Sequence, residues 1–279
     1  MDEAVQLIPT FILTPEGLRP TPYQAHSLSE AVRYEPRGVY TVARTFRGDH
    51  VLLLDAHLDR LEQSAHLVNI PLRLDRPRLR AALRDLLHQA NFPDAKFRIT
   101  VSYEHPDWVY LALEPLQPVP EVILREGAHV VTTPLVRPNP VVKTTDWMIL
   151  RKPAFESLPP GVYEAILVGT DGCLLEGLSS NFYGVLDGVL RTEKDRVLEG
   201  IARKAILTLA PEVLPVELRA VHRGEVPRLS EAMLSSAGRG VVPITRIDDM
   251  PVGDGRVGPV VSELRRRYDA WTEDHIEPI

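Results

Sequence analysis

One cysteine, Cys173, and five lysines, Lys96, Lys143, Lys152, Lys194 and Lys204, are spread over 279 residues. A single cysteine excludes an intrachain disulfide framework and fits a reducing compartment. We read Cys173 as a small buried residue before a turn, not as a nucleophile. Nine histidines form no H-x-x-x-H pair, so with one thiol no metal site is expected. No apolar run approaches the roughly 20 residues of a membrane helix. The opening, MDEAVQLIPTF, is acidic where a secretory leader would be basic. Basic excess is also missing: the net charge is −6 and the pI about 5.9. A nucleic-acid-binding face normally shows as a basic domain or stripe, so none is expected. What remains is 44% apolar and 25% charged, the make-up of a cytoplasmic globular protein with one large domain or two.

The pattern along the chain predicts an α+β fold. GVYTVARTF, RGDH and VLLLD read as a hairpin over residues 38–55 with a Gly-Asp turn. AHLDRLEQSAHLVNI follows as an amphipathic helix with Leu58, Leu61, Ala65 and Leu67 on one side and Asp55 able to cap it. RPRLRAALRDLLHQA, residues 76–90, gives a second helix, and KFRITVSY and DWVYLALEPL two more strands. Prolines then cluster at 115, 118 and 120, where pairing is least favoured, and mark an inter-domain connection in 115–123. The chain divides there into a smaller domain, 1–118, and a larger one, 119–279. The second part mixes strands (EAILVGTDGCLLEG, NFYGVLDGVLRT, AMLSSAGRGVVPI) with helices over IARKAILTLA and PVVSELRRRYDAWTE, without regular βαβ alternation.

Several local motifs have ordinary explanations. GDGRVG, residues 253–258, has the letters of a dinucleotide fingerprint but no room after it for the second strand and its acidic residue. It reads as a turn into the last helix. GLSSN is not a nucleophile elbow, because Asn181 stands where the second glycine is needed. His57 fits a role in local hydrogen bonding near the start of its helix. Three features are less ordinary. Glu176 lies where an apolar strand meets a small-residue turn, so it is either solvated or held by a positive partner. Lys143 stands among valines in PNPVVKTTDW, either as a strand-end lysine with its head in water or as a desolvated amine able to form a Schiff base. Gly200, just before a helix, leaves the N–H groups of Ile201 and Ala202 as an anion site, and SSAGRGVVPI could supply a second loop.

These pieces, in this order from about Gly38 to Tyr268, resemble the fold-type IV family of pyridoxal-phosphate enzymes. That family includes branched-chain and D-amino acid aminotransferases and 4-amino-4-deoxychorismate lyase. The carrying residues are HLDRLEQSA, VKTTDW, EGLSSNFYGV, GIARK and VVPI. The resemblance implies the two-domain D-amino acid aminotransferase-like architecture, a homodimer, and pyridoxal 5'-phosphate as cofactor. It makes Lys143 the Schiff-base lysine, Glu176 the carboxylate beside the pyridine nitrogen and Arg60 the phosphate arginine. Ile201 and Ala202 then form the helix start at the phosphate, Ser236 and Ala237 the second phosphate loop, and Ser179 and Ser180 the turn lining the cofactor. The chain departs from the pattern at Ala202 and Ala237, where threonines are usual. Glu199, in place of a common proline, adds negative charge near the phosphate.

The resemblance implies amino transfer between an amino acid and a 2-oxo acid. Arg98, Arg239 and Arg44 are the candidates for the substrate carboxylate, although each also fits an ion-paired or surface position. The hairpin GVYTVAR has Thr41 where many of the aminotransferases carry glutamate, which is similar to the lyase, in which a threonine is thought to protonate the leaving pyruvate. A lyase acting on aminodeoxychorismate is therefore the alternative, and a relative that holds cofactor without turnover is the third reading.

Overall fold

A computed structural model describes residues 6–279; residues 1–5, which carry the acidic opening, lie outside the described residues. The chain divides into two compact units. One contains the residues up to Gln117, Val142–Leu150 and His275–Ile279; the other contains Pro118–Val141 and Arg151–Asp274. The first break falls between Gln117 and Pro118, within the proline-rich segment 115–123. Reading a simple division at residue 118, however, places the Lys143 segment in the second domain, whereas its contacts are with the first. The Tyr40 N–H donates to the Lys143 carbonyl at 3.0 Å, and Val39 bridges Thr144, so the segment is stitched to a strand a hundred residues earlier.

The first unit is a seven-stranded sheet covered by helices. Its strands run in the order Ile276–Pro278, His50–Leu52, Gly38–Phe46, Ala95–Ser102, Val109–Pro115, Thr10–Thr14, Gly17–Pro20. The helices Leu54–Leu67 and Arg76–Ala90 supply Leu58, Leu61, Leu83 and Leu86 to a core shared with Phe97, Ile99 and Leu111. Asp75 caps the second helix by accepting from the Arg78 N–H at 3.1 Å. The first helix starts two residues earlier than its sequence pattern predicts, so Asp55 lies inside the first turn and is not the cap. Asp55 pairs instead with Arg76 and Arg80. Glu277 takes the capping role, its Oε1 accepting the Leu54 N–H at 3.1 Å.

The second unit is built on a closed ring of strands. Asn181–Leu186, Leu229–Ser236, Gly240–Ile247, Ala128–Thr133, Glu164–Val168 and Cys173–Gly177 pair in that order, and the pairing of Glu176 with Asn181 returns the last strand to the first. Ile166, Leu174, Phe182, Leu234 and Ile244 fill the core. Helix Ile201–Leu209 follows, then a 3-10 turn containing Pro211, and helix Pro259–His275 comes late. The GDGRVG turn does lead into that last helix. Both oxygens of buried Glu231 accept its first N–H groups, from Val260 at 3.0 Å and Val261 at 2.7 Å. A carboxylate of the chain itself thus occupies the spot a phosphate would need. Cys173 is half-buried on its strand, and burial pushes its thiol above the usual range.

Candidate active site

In the first unit, one face of helix Leu54–Leu67 collects the relevant groups. His57, Arg60 and Ser64 are spaced by three and four residues, so they project from the same side. All three are buried. The Arg60 Nη2 donates to Thr41 Oγ1 at 3.2 Å, and His57 Nδ1 lies 3.0 Å from the same oxygen. One turn on, Ser64 Oγ accepts the Lys143 N–H at 3.2 Å. The strand Gly38–Phe46 completes the clamp, since Tyr40 bonds the Lys143 carbonyl and its ring lies 4.8 Å from Lys143 Nζ. The next residues are fixed as well: Thr145 Oγ1 accepts the Gly38 N–H at 2.8 Å, and Asp146 receives a two-pronged pair from Arg37. Lys143 is therefore not a strand-end lysine. It sits in a short segment whose backbone is held on both sides, just before helix Thr145–Glu156. Thr41, Arg60 and Lys143, far apart in sequence, belong to one cluster.

In the second unit, Glu176 is 3% exposed, which rules out the solvated-turn reading. Its Oε1 accepts from Arg137 Nη1 at 3.0 Å and its Oε2 from the Leu198 N–H at 3.0 Å. A buried carboxylate so paired is stabilised in its ionised form. Sequence reasoning missed Arg137: it lies in the proline-rich VRPNP and looks like a surface charge.

The turn after Glu176 is organised by a second missed residue, Glu164, which is fully buried. Glu164 Oε1 accepts from the Ser179 N–H at 2.6 Å and the Ser179 hydroxyl at 3.1 Å, and Oε2 pairs with Arg239 at 2.7 Å. Arg239 also reaches Ser179 Oγ at 2.8 Å and Ser236 Oγ at 3.2 Å. The two serine loops that the sequence nominates are thus tied together through one arginine. A side chain at Gly177 would strike Ser180 Oγ and the Glu164 carboxylate, so the turn admits only glycine there without rearrangement.

The helix Ile201–Leu209 begins at Gly200 with no side-chain cap. A side chain at 200 would collide with Asn181, whose amide donates to the Leu198 carbonyl at 2.8 Å. Glu199 is exposed and pairs with Lys204 at 3.3 Å, which offsets part of the negative charge noted in the sequence. Arg203 turns away and donates to the Glu193 carbonyl at 2.7 Å.

The three candidate substrate arginines differ sharply. Arg98 is consumed by the fold: Nε and Nη2 grip the Glu35 carboxylate and Nη1 donates to the Leu28 carbonyl at 2.9 Å. Its side chain is 4% exposed, so this buried pair argues against a substrate role and holds the strand Ala95–Ser102 to the segment after Leu28. Arg44 stacks on the Phe46 ring at 4.2 Å. Arg239 is the one whose side chain combines partial exposure, 23%, with the serine loops.

The donor set fits a phosphorylated, positively charged ring. Ser180 Oγ is buried and has no hydrogen-bond partner among the described residues, the helix start at Gly200 is uncapped, and Glu176 is prepared to face a cation. Among the described residues no group of three or more His, Cys, Asp or Glu side chains could hold a metal ion, and no helix is long and apolar enough to cross a membrane.

Comparison with known proteins identifies the chain's relatives. The branched-chain-amino-acid aminotransferase of Pseudomonas aeruginosa is 29% identical over 90% of this chain and 90% of its own length. The D-alanine aminotransferase of Bacillus licheniformis is 28% identical over 82% of this chain and 85% of its own. In fold, the chain is similar to the T.th. branched-chain amino acid aminotransferase solved with pyridoxamine 5'-phosphate: the TM-score is 0.82 at 21% identity, covering 98% of this chain and 99% of that one. The sequence profile of amino-transferase class IV matches residues 38–247, and the chain belongs to that family.

Proposed function

We propose that the chain transfers an amino group between an amino acid and a 2-oxo acid, using pyridoxal 5'-phosphate attached to Lys143. The observation that carries this reading is the buried Glu176, kept as an anion by Arg137 and the Leu198 N–H. A carboxylate held charged in this way beside Arg137 is also suited to face a protonated pyridine nitrogen. When bound, the cofactor supplies an aldehyde that takes up the amino group and a ring that absorbs carbanion electrons. Arg60, the Ile201 and Ala202 N–H groups and Ser236 would hold its phosphate, and Ser179 and Ser180 would line it. Ala202 and Ala237 bring no hydroxyl, so the phosphate depends more on Arg60 and on backbone donors. Glu176 would face the ring nitrogen and favour its protonated form. Lys143 Nζ would be the base placed to move a proton at the substrate α-carbon. Arg239 is the arginine proposed for the substrate carboxylate.

Amino transfer is favoured over the lyase by the state of Thr41. Its hydroxyl is fully buried and engaged by both Arg60 and His57, a wall residue's situation and not that of a proton donor to a leaving carbon. The named relatives are aminotransferases. A homodimer working in the cytoplasm completes the proposal, on the strength of family resemblance. The test is a half-reaction screen of cofactor-loaded protein with L-branched-chain amino acids and D-alanine, followed by absorbance. Conversion of the cofactor to its aminated form is expected with at least one of them. Pyruvate release from aminodeoxychorismate, with no aminated cofactor from any amino acid, would overturn it.

A further inference from the structure

We infer that His57 is a positioning residue: its Nδ1 accepts the hydroxyl proton of Thr41, and this turns a Thr41 lone pair onto the Arg60 guanidinium. Three atoms carry the argument. Thr41 Oγ1 is 3.2 Å from Arg60 Nη2 and 3.0 Å from His57 Nδ1, and Thr41 is fully buried. Arginine can only donate, so one Thr41 lone pair is assigned to Arg60. The hydroxyl has one proton, and His57 Nδ1 is its other neighbour. If Nδ1 carried a hydrogen, the Thr41 proton would lose the acceptor that the geometry offers it, at the cost of an unmade buried bond. The imidazolium is disfavoured as well. His57 is 1% exposed, and burial first, then the positive charges of Arg60 and Lys143, hold its pKa well below the ordinary histidine value. The ring is therefore neutral with its hydrogen on Nε2, and the bonds run in one direction, Arg60 to Thr41 to His57.

This chain of bonds aims Arg60 from its own helix. His57 and Arg60 are three residues apart on one face, so the Thr41 hydroxyl braces the guanidinium against a strand rather than against solvent. It also commits the Thr41 proton to an imidazole nitrogen and away from any reacting carbon. What Arg60 grips rests on the proposed phosphate role; the tautomer of His57 does not.

The first arm of the test is long-range nitrogen-15 NMR on full-length protein labelled at histidine, with and without pyridoxal 5'-phosphate. The His57 signal is assigned by its disappearance in His57→Asn. An unprotonated Nδ1 and a protonated Nε2, unchanged from pH 8 to 5.5, are expected. An Nδ1–H tautomer or an imidazolium at pH 7 would overturn the inference. The second arm is cofactor affinity. Losing a hydrogen bond that braces a charged group predicts about tenfold weaker binding of pyridoxal 5'-phosphate in His57→Phe and in Thr41→Val. His57→Asn and Thr41→Ser, which restore the acceptor and the hydroxyl, should stay within about twofold, and combining His57→Phe with Thr41→Val should add nothing. Multiplying losses, or His57→Asn as weak as His57→Phe, would contradict it. If His57→Phe does not fold, Thr41→Val against Thr41→Ser decides the affinity arm. Wild-type protein that fails to bind the cofactor would refute the proposed function, while the NMR result would still judge His57.

Discussion

Replacing Glu176 by glutamine changes one atom, and its cost follows from what surrounds that atom. The carboxylate faces two donors, Arg137 Nη1 and the Leu198 N–H, each at 3.0 Å. A glutamine has only one oxygen, so its NH2 must point at one of the two, and a donor then meets a donor. Arg137 also loses its countercharge, with its side chain only 6% exposed and that of Glu176 4%. Removing one partner of a buried ion pair costs ~3–5 kcal/mol. At ~2–4 °C per kcal/mol for a chain of this size, the melting temperature should fall by roughly 6–20 °C. Adding Arg137→Met removes the stranded charge and lets the glutamine oxygen serve Leu198. The double variant should therefore be more stable than Glu176→Gln alone, by about 1–2 kcal/mol. Urea denaturation of the cofactor-free chain, with slopes compared across variants, measures both numbers. A Glu176→Gln protein within ~1 kcal/mol of wild type, or a double variant less stable than the single one, would refute the reasoning. The kinetic consequence should be read only on folded, cofactor-saturated protein, where turnover is expected to drop by orders of magnitude while the cofactor stays bound.

Borohydride reduction of protein loaded with pyridoxal 5'-phosphate, followed by peptide mapping, should label Lys143; a label on Lys152 would remove the basis for every other assignment. At saturating cofactor, Thr41→Val should keep amino transfer within about tenfold, a barrier change below ~1.4 kcal/mol, and a complete loss would reopen the lyase reading. For His57, the folded pKa lies below the unfolded one, so the unfolded chain takes up a proton first and stability is lost as pH falls through about 6.5. The stability advantage of wild type over His57→Asn should accordingly shrink as the pH is lowered from 7 to 5, and a gap independent of pH would mean that His57 titrates normally. Glu164→Gln should weaken the hold on Ser179 and Arg239 together, seen as raised KM for amino acids and lower cofactor affinity in titrations; unchanged values would make Glu164 a purely structural residue.

Local periodicity made much of the first unit legible. The helix Arg76–Ala90 carries its own signals, with Asp75 as cap and leucines recurring at 79, 83 and 86. Lys143 and Glu176 could be singled out because their motifs occur in order along the chain, although neither motif is specific alone. What stayed hidden is long-range polar pairing. Glu277 caps a helix 223 residues away, and Arg137 meets a carboxylate 39 residues on. A buried charge leaves no mark in a hydropathy pattern, so Glu164 and Arg137 look like surface residues until their partners are known. Arg98 shows the converse: a well-placed arginine that Glu35 had already claimed.

The ring of strands in the second unit behaves mechanically as a hoop. An open sheet unzips from its outer strands, but a hoop offers no such end and must part at its weakest join. Here the join between Cys173–Gly177 and Asn181–Leu186 is a single residue pair, Glu176 with Asn181, bridged by a tight turn in which the Gly177 N–H bonds the Ser180 carbonyl at 2.8 Å. The neighbouring join, to Leu229–Ser236, runs from Asn181 to Leu186. Thermal breathing should thus concentrate beside Glu176, with Glu164 acting as the latch through its grip on the Ser179 N–H. Amide hydrogens at Gly177 and Ser179 are the gauge: they should exchange ahead of those at Phe182 and Val185, and unlatching Glu164 should widen that difference.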